Sequence, residues 1–545
     1  MWGSASSTQW LAFAVLFFVS LTVSATQGSS PNDQELASSQ RKLRASLADA
    51  PSLRLHFTLK RKAMQIHGQS EFDVLARPVV SSDNASVFYD GYMAIADDLT
   101  EYKYMFVDGA TYFVNSSVSG SNNSQTVQCL PSSTMPPLAS IVTAFSEATA
   151  ISSLSISGES VDCPSGSLFK IAFSGADFAL CASASAGFTI YGSDLDIAVE
   201  YLVNPVEISA PTLTDATTSC DAIASATFIP PTTLALITGD AIPSNNSRRL
   251  EAEAHMALAA SSCSCKSTPR PCVFVHGLGQ DHEEEELQDA LSYWGDMTDH
   301  APCCSSLKYA VVNTMDNAWT NATIQQQVCD HALSVSNSSS SSSGSIADTI
   351  LVTHSMGGLI VAGAIASGKC SLASSTSWVS LSAPMKGSMG SDYLQDVCND
   401  EVSEVLQTVV DLVGQCPANA AIKSLAYQNE TYSSSALNAA FSAAQEAYRE
   451  HVVAAVCSNG YSGILSIYQS VYRLGGSAIP HKSKENDGMV EFLSCAGGFP
   501  SSKFGNSYAD PFYVTTCNHA DTSFLDGDAL FDESQKPVKW FECLL

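Results

Sequence analysis

Positive charge is scarce in this chain. Its 545 residues hold 25 Lys and Arg against 54 Asp and Glu, a formal net charge of −29. Such a surface repels phosphate backbones, which excludes nucleic acid as a partner. It also gives no electrostatic attraction to an anionic membrane surface. Long apolar runs are scarce too: none reaches the ~18 consecutive apolar residues of a spanning helix. No integral membrane segment is therefore expected in the mature chain, and at most transient contact with a lipid surface. No pair of CxxC motifs has zinc spacing, since Cys263-Ser264-Cys265 and Cys303-Cys304 do not fit it. No metal or other cofactor is implied, and no internal repeat is visible.

Apolar residues are plentiful, at 45%, so packed cores are expected rather than wholesale disorder. The length exceeds the ~250–300 residues at which single cores stop growing, which predicts two folded domains. Leu11 to Val23 is a short apolar run, and Val23-Ser24-Ala25 supplies small residues for cleavage after Ala25. Residues 1–25 thus read as an export signal. Seventeen cysteines fit an oxidising compartment and disulfide pairing, with the odd number leaving at least one thiol free or intermolecular. Glycosylation sequons at Asn84, Asn115, Asn122, Asn245, Asn321, Asn337 and Asn429 support a secreted, extracellular protein.

Two grammars follow one another along the chain. Residues 26–50 read as a loose polar leader. In residues 51–240, Leu53, Leu55, Phe57 and Leu59 alternate with Arg54, His56, Thr58 and Lys60, the period-2 signature of a half-buried strand. Asp108-Gly109 between Tyr102–Val107 and Ala110–Val114 predicts a type I′ hairpin, and Leu138–Ser152 reads as a helix. This region is expected to be a smaller, β-rich α+β domain without a chemical motif. Residues 241–268 read as a linker containing the dibasic pair Arg248-Arg249. From residue 269 to 545, fully apolar runs (Val273–Val275, Tyr309–Val312, Ile350–Val352, Trp378–Leu381, Phe512–Val514) alternate with helical stretches. That pattern predicts an α/β domain, a mostly parallel sheet covered on both faces.

The sharpest chemical signal is Ile350-Leu351-Val352-Thr353-His354-Ser355-Met356-Gly357-Gly358-Leu359. An apolar strand runs into a serine among small residues and then into an apolar helix, the setting of a nucleophile elbow. Thr353 stands where a first glycine is usual and is expected to crowd the turn. His354 is expected to pack rather than to act as the base. Upstream, Val273-Phe274-Val275-His276-Gly277-Leu278-Gly279 ends a strand in His-Gly. His276 and Gly277 form a candidate oxyanion loop, and the backbone N–H groups of Leu278 and Met356 are the candidate oxyanion donors.

These two motifs resemble the H-G-L-x-G oxyanion loop and H-S-M-G-G elbow of α/β-hydrolases of the lipase/esterase type. The elbow is also similar to that of the GPI inositol-deacylase-like and lecithin–cholesterol acyltransferase-like branches. The resemblance covers residues from Arg270 onward and none of the N-terminal half. It implies a triad in the order Ser, acid, His. Asp487 in Glu485-Asn486-Asp487-Gly488 and His519 in Cys517-Asn518-His519-Ala520-Asp521 match the family's segments. Ser355 is then the nucleophile, His519 the general base and Asp487 the group that orients it. His481 and Asp521 are the alternative base and acid. The resemblance also implies a lid, expected as a helical insertion over residues 391–472, where Val402, Val405, Val409, Leu412 and Val413, and again Leu437, Phe441, Ala444 and Tyr448, recur at helical spacing. Glu283–Glu286 reads as a solvated helix start rather than a metal site.

The implied activity is hydrolysis of carboxylic esters, with an ester or acyl lipid as substrate and an acyl-enzyme intermediate. Acyl transfer, thioester cleavage and GPI-deacylase-like activity need the same triad. A different class, a non-enzymatic secreted effector on a hydrolase scaffold, is raised by Arg41-Lys42-Leu43-Arg44. That string resembles the host-translocation motif of plant-pathogen effectors.

Overall fold

A computed structural model describes residues 50–80, 87–97, 99–119, 122–130, 138–163, 167–182, 187–214, 219–222, 231–240, 255–398, 416–466 and 468–545. The export signal, nearly all of the leader, Arg41-Lys42-Leu43-Arg44, Arg248-Arg249, and the sequons at Asn84 and Asn245 lie outside them, as do Val402 to Val413. Residues 47–545 form one compact unit.

The first half builds an eleven-stranded sheet. Its strands run in two antiparallel series that meet where Ser52–Leu59 pairs with Leu195–Leu202, with Leu55 opposite Val199. The alternation in the first strand decides its two faces. Leu53, Phe57 and Leu59 are buried. On the opposite face Arg54 Nε donates to Asp73 Oδ2 at 2.9 Å, and His56 Nδ1 lies 2.8 Å from Asp73 Oδ1. The Asp108-Gly109 hairpin forms as its sequence demands, with both residues at positive φ (52° and 80°) between strands Thr100–Val107 and Ala110–Ser119. The helix is shorter than 138–152. It spans Leu138–Ser146, because Thr149–Ala150 joins the edge of the sheet beside Ser167–Phe173.

The second half builds six parallel strands in the spatial order Cys304–Ala310, Arg270–Val275, Ile350–His354, Ser377–Leu381, Val452–Ser458 and Phe512–Thr515. Both faces are covered, and one strand shows how. Val273 and Val275 enter the core that holds Leu359 and Phe441, whereas Cys272 and Phe274 enter the opposite core with Trp540 and Phe541. A strand buried on both sides must be apolar throughout, which is why the period-2 signal is missing here.

Three expectations need correction. Strand Val452–Ser458 lies inside the span expected as a lid (391–472), yet it is a central strand between Ser377–Leu381 and Phe512–Thr515. Helix Ser435–His451 runs into it with no turn residue between them, so helical periodicity masked the boundary. The helix itself packs its Phe441, Ala444 and Tyr448 into the sheet core. Second, residues 255–268 of the expected linker are built into the fold. His255–Leu258 pairs in parallel with Ser153–Ile156. Cys263 is bonded to Cys543 and Cys265 to Cys303. Third, Glu283–Glu286 is an exposed run of bends and irregular chain rather than a helix start.

The two sheets are joined by buried charge. Arg61, beside the first strand, lies 2.8 Å from Glu542 and 3.2 Å from Asp528, all three nearly inaccessible to solvent. Gly527 passes so close to Ala63 O that a Cβ there would lie 1.9 Å away. Eight disulfides use sixteen of the cysteines and leave Cys517, buried, as the free thiol. Among the described residues no helix is long and apolar enough to cross a membrane.

Candidate active site

Strand Ile350–His354 ends at Ser355, whose φ of 52° and ψ of −129° lie where a residue with a side chain is strained. The surroundings fix it there. Ser355 N donates to Leu381 O of the neighbouring strand at 2.9 Å, and helix Met356–Ala366 begins at the next residue. The turn is tight enough to require glycine at 357, where a Cβ would sit 2.5 Å from His276 O and 2.6 Å from Val275 O. Thr353 does not crowd the elbow as expected. It is fully buried, and its Oγ1 accepts from Trp378 Nε1 at 3.0 Å.

Three residues far apart in sequence meet here. His519 Nε2 lies 2.9 Å from Ser355 Oγ, and His519 Nδ1 lies 2.7 Å from Asp487 Oδ2. Asp487 is almost wholly buried. Its Oδ1 accepts from Met489 N at 2.9 Å and Val490 N at 2.6 Å. Burial pushes this carboxyl up, but His519 and the two N–H groups outweigh it and hold it below the usual range. A second tie fixes the distance between the partners: His519 N donates to Asp487 O at 2.9 Å. The Asn-Asp-Gly signal has a local cause, because Gly488 has φ of 93° and a Cβ there would lie 2.6 Å from Tyr472 O.

The alternative base and acid are engaged elsewhere. His481 Nδ1 lies 2.8 Å from Glu491 Oε1. Asp521 Oδ2 accepts from Asn518 N at 2.8 Å and Ile464 N at 2.9 Å.

The candidate oxyanion loop lies against the serine. A Cβ on Gly277 would meet Ser355 Cβ at 2.5 Å. Leu278 lines the same pocket as Ser355 and His519, and Met356 opens the elbow helix, where N–H groups lack partners within the helix. His276 turns away from the pocket. It is fully buried, its Nδ1 donates to Gly277 O at 2.7 Å, and its Nε2 accepts from Val312 N at 3.2 Å. Burial drops its pKa to about 4, so it is a neutral brace that shapes the loop.

His354 braces the opposite side. Tyr293 Oη donates to its Nδ1 at 2.6 Å, while its Nε2 lies 3.0 Å from both His519 O and Thr522 Oγ1. Burial drives its pKa well down, so a neutral His354 holds the backbone of the His519 loop. Nothing in the sequence separates this role from packing, since Tyr293 and Thr522 are distant from it along the chain.

The pocket around Ser355 encloses about 230 Å³ and is walled by Leu278, Ile422, Leu425, Met489, Val490 and Leu525. Ser391 and Tyr472, the two ends of the expected lid, also border it. No group of three or more His, Cys, Asp or Glu among the described residues is placed to hold a metal.

No family model matches the chain, and no curated protein matches it. Among solved structures it is similar to a Bacillus licheniformis lipase in mature form (18% identity, 49% of this chain and 89% of that one, TM-score 0.31). It is also similar to Staphylococcus hyicus lipase (12% identity, 51% and 95% covered, TM-score 0.27) and to a metagenomic carboxyl esterase (14% identity, 54% and 80% covered, TM-score 0.28).

Proposed function

We propose that the chain is a secreted serine hydrolase of carboxylic esters, with Ser355, His519 and Asp487 as its triad and an acyl lipid as its substrate class. The observation that carries this reading is the hydrogen-bonded chain from Ser355 Oγ through His519 to Asp487, at 2.9 and 2.7 Å, set on a strained turn. The eight disulfides support an oxidising destination.

The chemistry follows from the atoms. Ser355 Oγ attacks the ester carbonyl carbon while His519 Nε2 takes its proton. Asp487, ionised throughout, holds the imidazole with Nδ1 protonated and stabilises the imidazolium. The carbonyl oxygen becomes an oxyanion, met by the N–H groups of Leu278 and Met356; one such donor contributes ~3–4 kcal/mol to the transition state. Collapse breaks the bond to the alcohol, which leaves with the proton from His519. A water then attacks the acyl-enzyme with His519 as base, freeing the acid and Ser355.

The pocket's size sets an expectation for chain length. A cavity of ~150 Å³ holds one benzene, so about 230 Å³ holds an acyl group of roughly six to ten carbons. A series of p-nitrophenyl esters from acetyl to palmitoyl, with Ser355→Ala alongside, tests this. The expected outcome is turnover that peaks at medium chains and vanishes in the variant. Equal turnover by Ser355→Ala would refute the triad.

A further inference from the structure

A second cavity, about 900 Å³, opens onto the N-terminal sheet. Among the described residues it shares no lining residue with the Ser355 pocket. Its floor is the apolar face of the sheet, with Leu55, Phe57, Val74, Ile171 and Ile190, and its far wall comes from Ile464, Leu530 and Phe531 of the second half. A protein interior is normally packed without voids of this size, and ligand sites fall within ~300–1,000 Å³. Scaled from the ~150 Å³ that holds a benzene, the space takes a few tens of carbon atoms, enough for two acyl chains.

Polar atoms on the lining narrow the occupant's chemistry. Tyr89 Oη, Thr111 Oγ1 and Thr233 Oγ1 are buried hydroxyls without a hydrogen-bond partner, and Gln469 Oε1 is a buried acceptor in the same state. Thr111, Thr233 and Gln469 are at most 2% exposed. Unpaired buried groups cost roughly 1–3 kcal/mol each, so such a cluster calls for a ligand that both accepts and donates. Ester carbonyls suit the hydroxyls, and an alcohol suits Gln469. Charge decides the rest. Among the described residues no Lys, Arg or His lines the cavity, whereas Asp526, Asp528, Asp532 and Glu533 do. Asp528 is paired with Arg61, Asp526 is hydrogen-bonded to Asp521, and a lining without a cation offers a fatty-acid or phosphate anion no counter-charge.

We propose that this cavity is a second, non-catalytic site that binds an uncharged acylglycerol. It is adjacent to the reacting centre along the chain: Leu525 borders the Ser355 pocket and Asp526 the large cavity, as Tyr468 and Gln469 do in turn. The binding does not depend on the triad, so the ester assay decides that reading separately.

The test is titration of the purified full chain carrying Ser355→Ala with an NBD-labelled diacylglycerol, competed by unlabelled diolein, oleate and oleylamine. Saturable one-to-one binding is expected, displaced by diolein before the two charged lipids. Leu55→Trp and Ile190→Trp, each placed to fill the cavity, should weaken binding at least tenfold, about 1.4 kcal/mol. Each should keep the parent Tm within a few degrees, so a variant that unfolds is recognised and the other is read. No saturable binding, unchanged affinity in both folded variants, or preferred displacement by oleate or oleylamine would overturn the proposal.

Discussion

The two sheets solve the same burial problem with opposite patterns. In the N-terminal sheet the first strand has one face toward the core, so Leu53, Phe57 and Leu59 alternate with Arg54 and His56. In the parallel sheet both faces are buried, so Arg270–Val275 divides its side chains between two cores. The placement of chemistry differs in the same way. In the parallel sheet Ser355 and His519 follow the ends of strands Ile350–His354 and Phe512–Thr515, and Asp487 reaches them from the connection between Val452–Ser458 and Phe512–Thr515. Among the described residues the antiparallel sheet gathers no such group; with Ile464, Leu530 and Phe531 it instead borders about 900 Å³ of mostly apolar space. On the proposed reading, one fold region carries the reacting atoms and the other holds a body of hydrocarbon.

The comparison breaks first at the triad. Ser355→Ala should lower kcat by about 10⁵- to 10⁶-fold and Asp487→Asn by about 10⁴-fold, both measured on a p-nitrophenyl ester. Neither change should alter cavity binding in the N-terminal sheet.

The joint between the sheets comes next. Arg61→Met leaves Asp528 and Glu542 as buried carboxylates without their cation, and breaking such a pair costs about 3–5 kcal/mol. Chemical denaturation should show that loss in one transition if the joint makes the two regions cooperative. Two separated transitions would show them to be independent.

A smaller effect probes the elbow. Thr353→Val removes the acceptor of Trp378 Nε1 and should cost about 1–3 kcal/mol of stability, with kcat within about twofold of the parent. A collapse of kcat at unchanged stability would place Thr353 in the chemistry instead.

The smallest effect concerns pH. Burial raises the Asp392 carboxyl to about 6, above the ~3.9 of an unfolded Asp. The folded chain therefore holds a proton there that the unfolded chain has released. Stability should fall as pH rises from ~4 to ~6 and level off above. Asp392→Asn should flatten that slope and raise stability at pH 7 by on the order of 1 kcal/mol, as read by Tm against pH.

Legibility in the sequence followed the range of the forces involved. Local signals read well: alternation from Leu53, the Asp108-Gly109 hairpin and the apolar strand into Ser355 are all set by neighbours in the chain. The strand Val452–Ser458 was hidden because a buried apolar run carries no period and helix Ser435–His451 ends without punctuation. The linker reading failed from residue 255 because a parallel pairing with Ser153–Ile156 and two disulfides lie far away in sequence. The three residues singled out as nucleophile, acid and base come within hydrogen-bond reach. The braces His354, Tyr293 and Thr522, by contrast, are joined only by the fold.

The central claim is that Ser355 is made nucleophilic by His519 and Asp487. The most direct measurement is to treat the folded chain with a fluorophosphonate and map the adduct by peptide mass spectrometry, with His519→Ala in parallel. One phosphonyl group on Ser355, reduced by orders of magnitude in His519→Ala, is the expected result. An adduct on another serine, or equal labelling of Ser355 without His519, would contradict it.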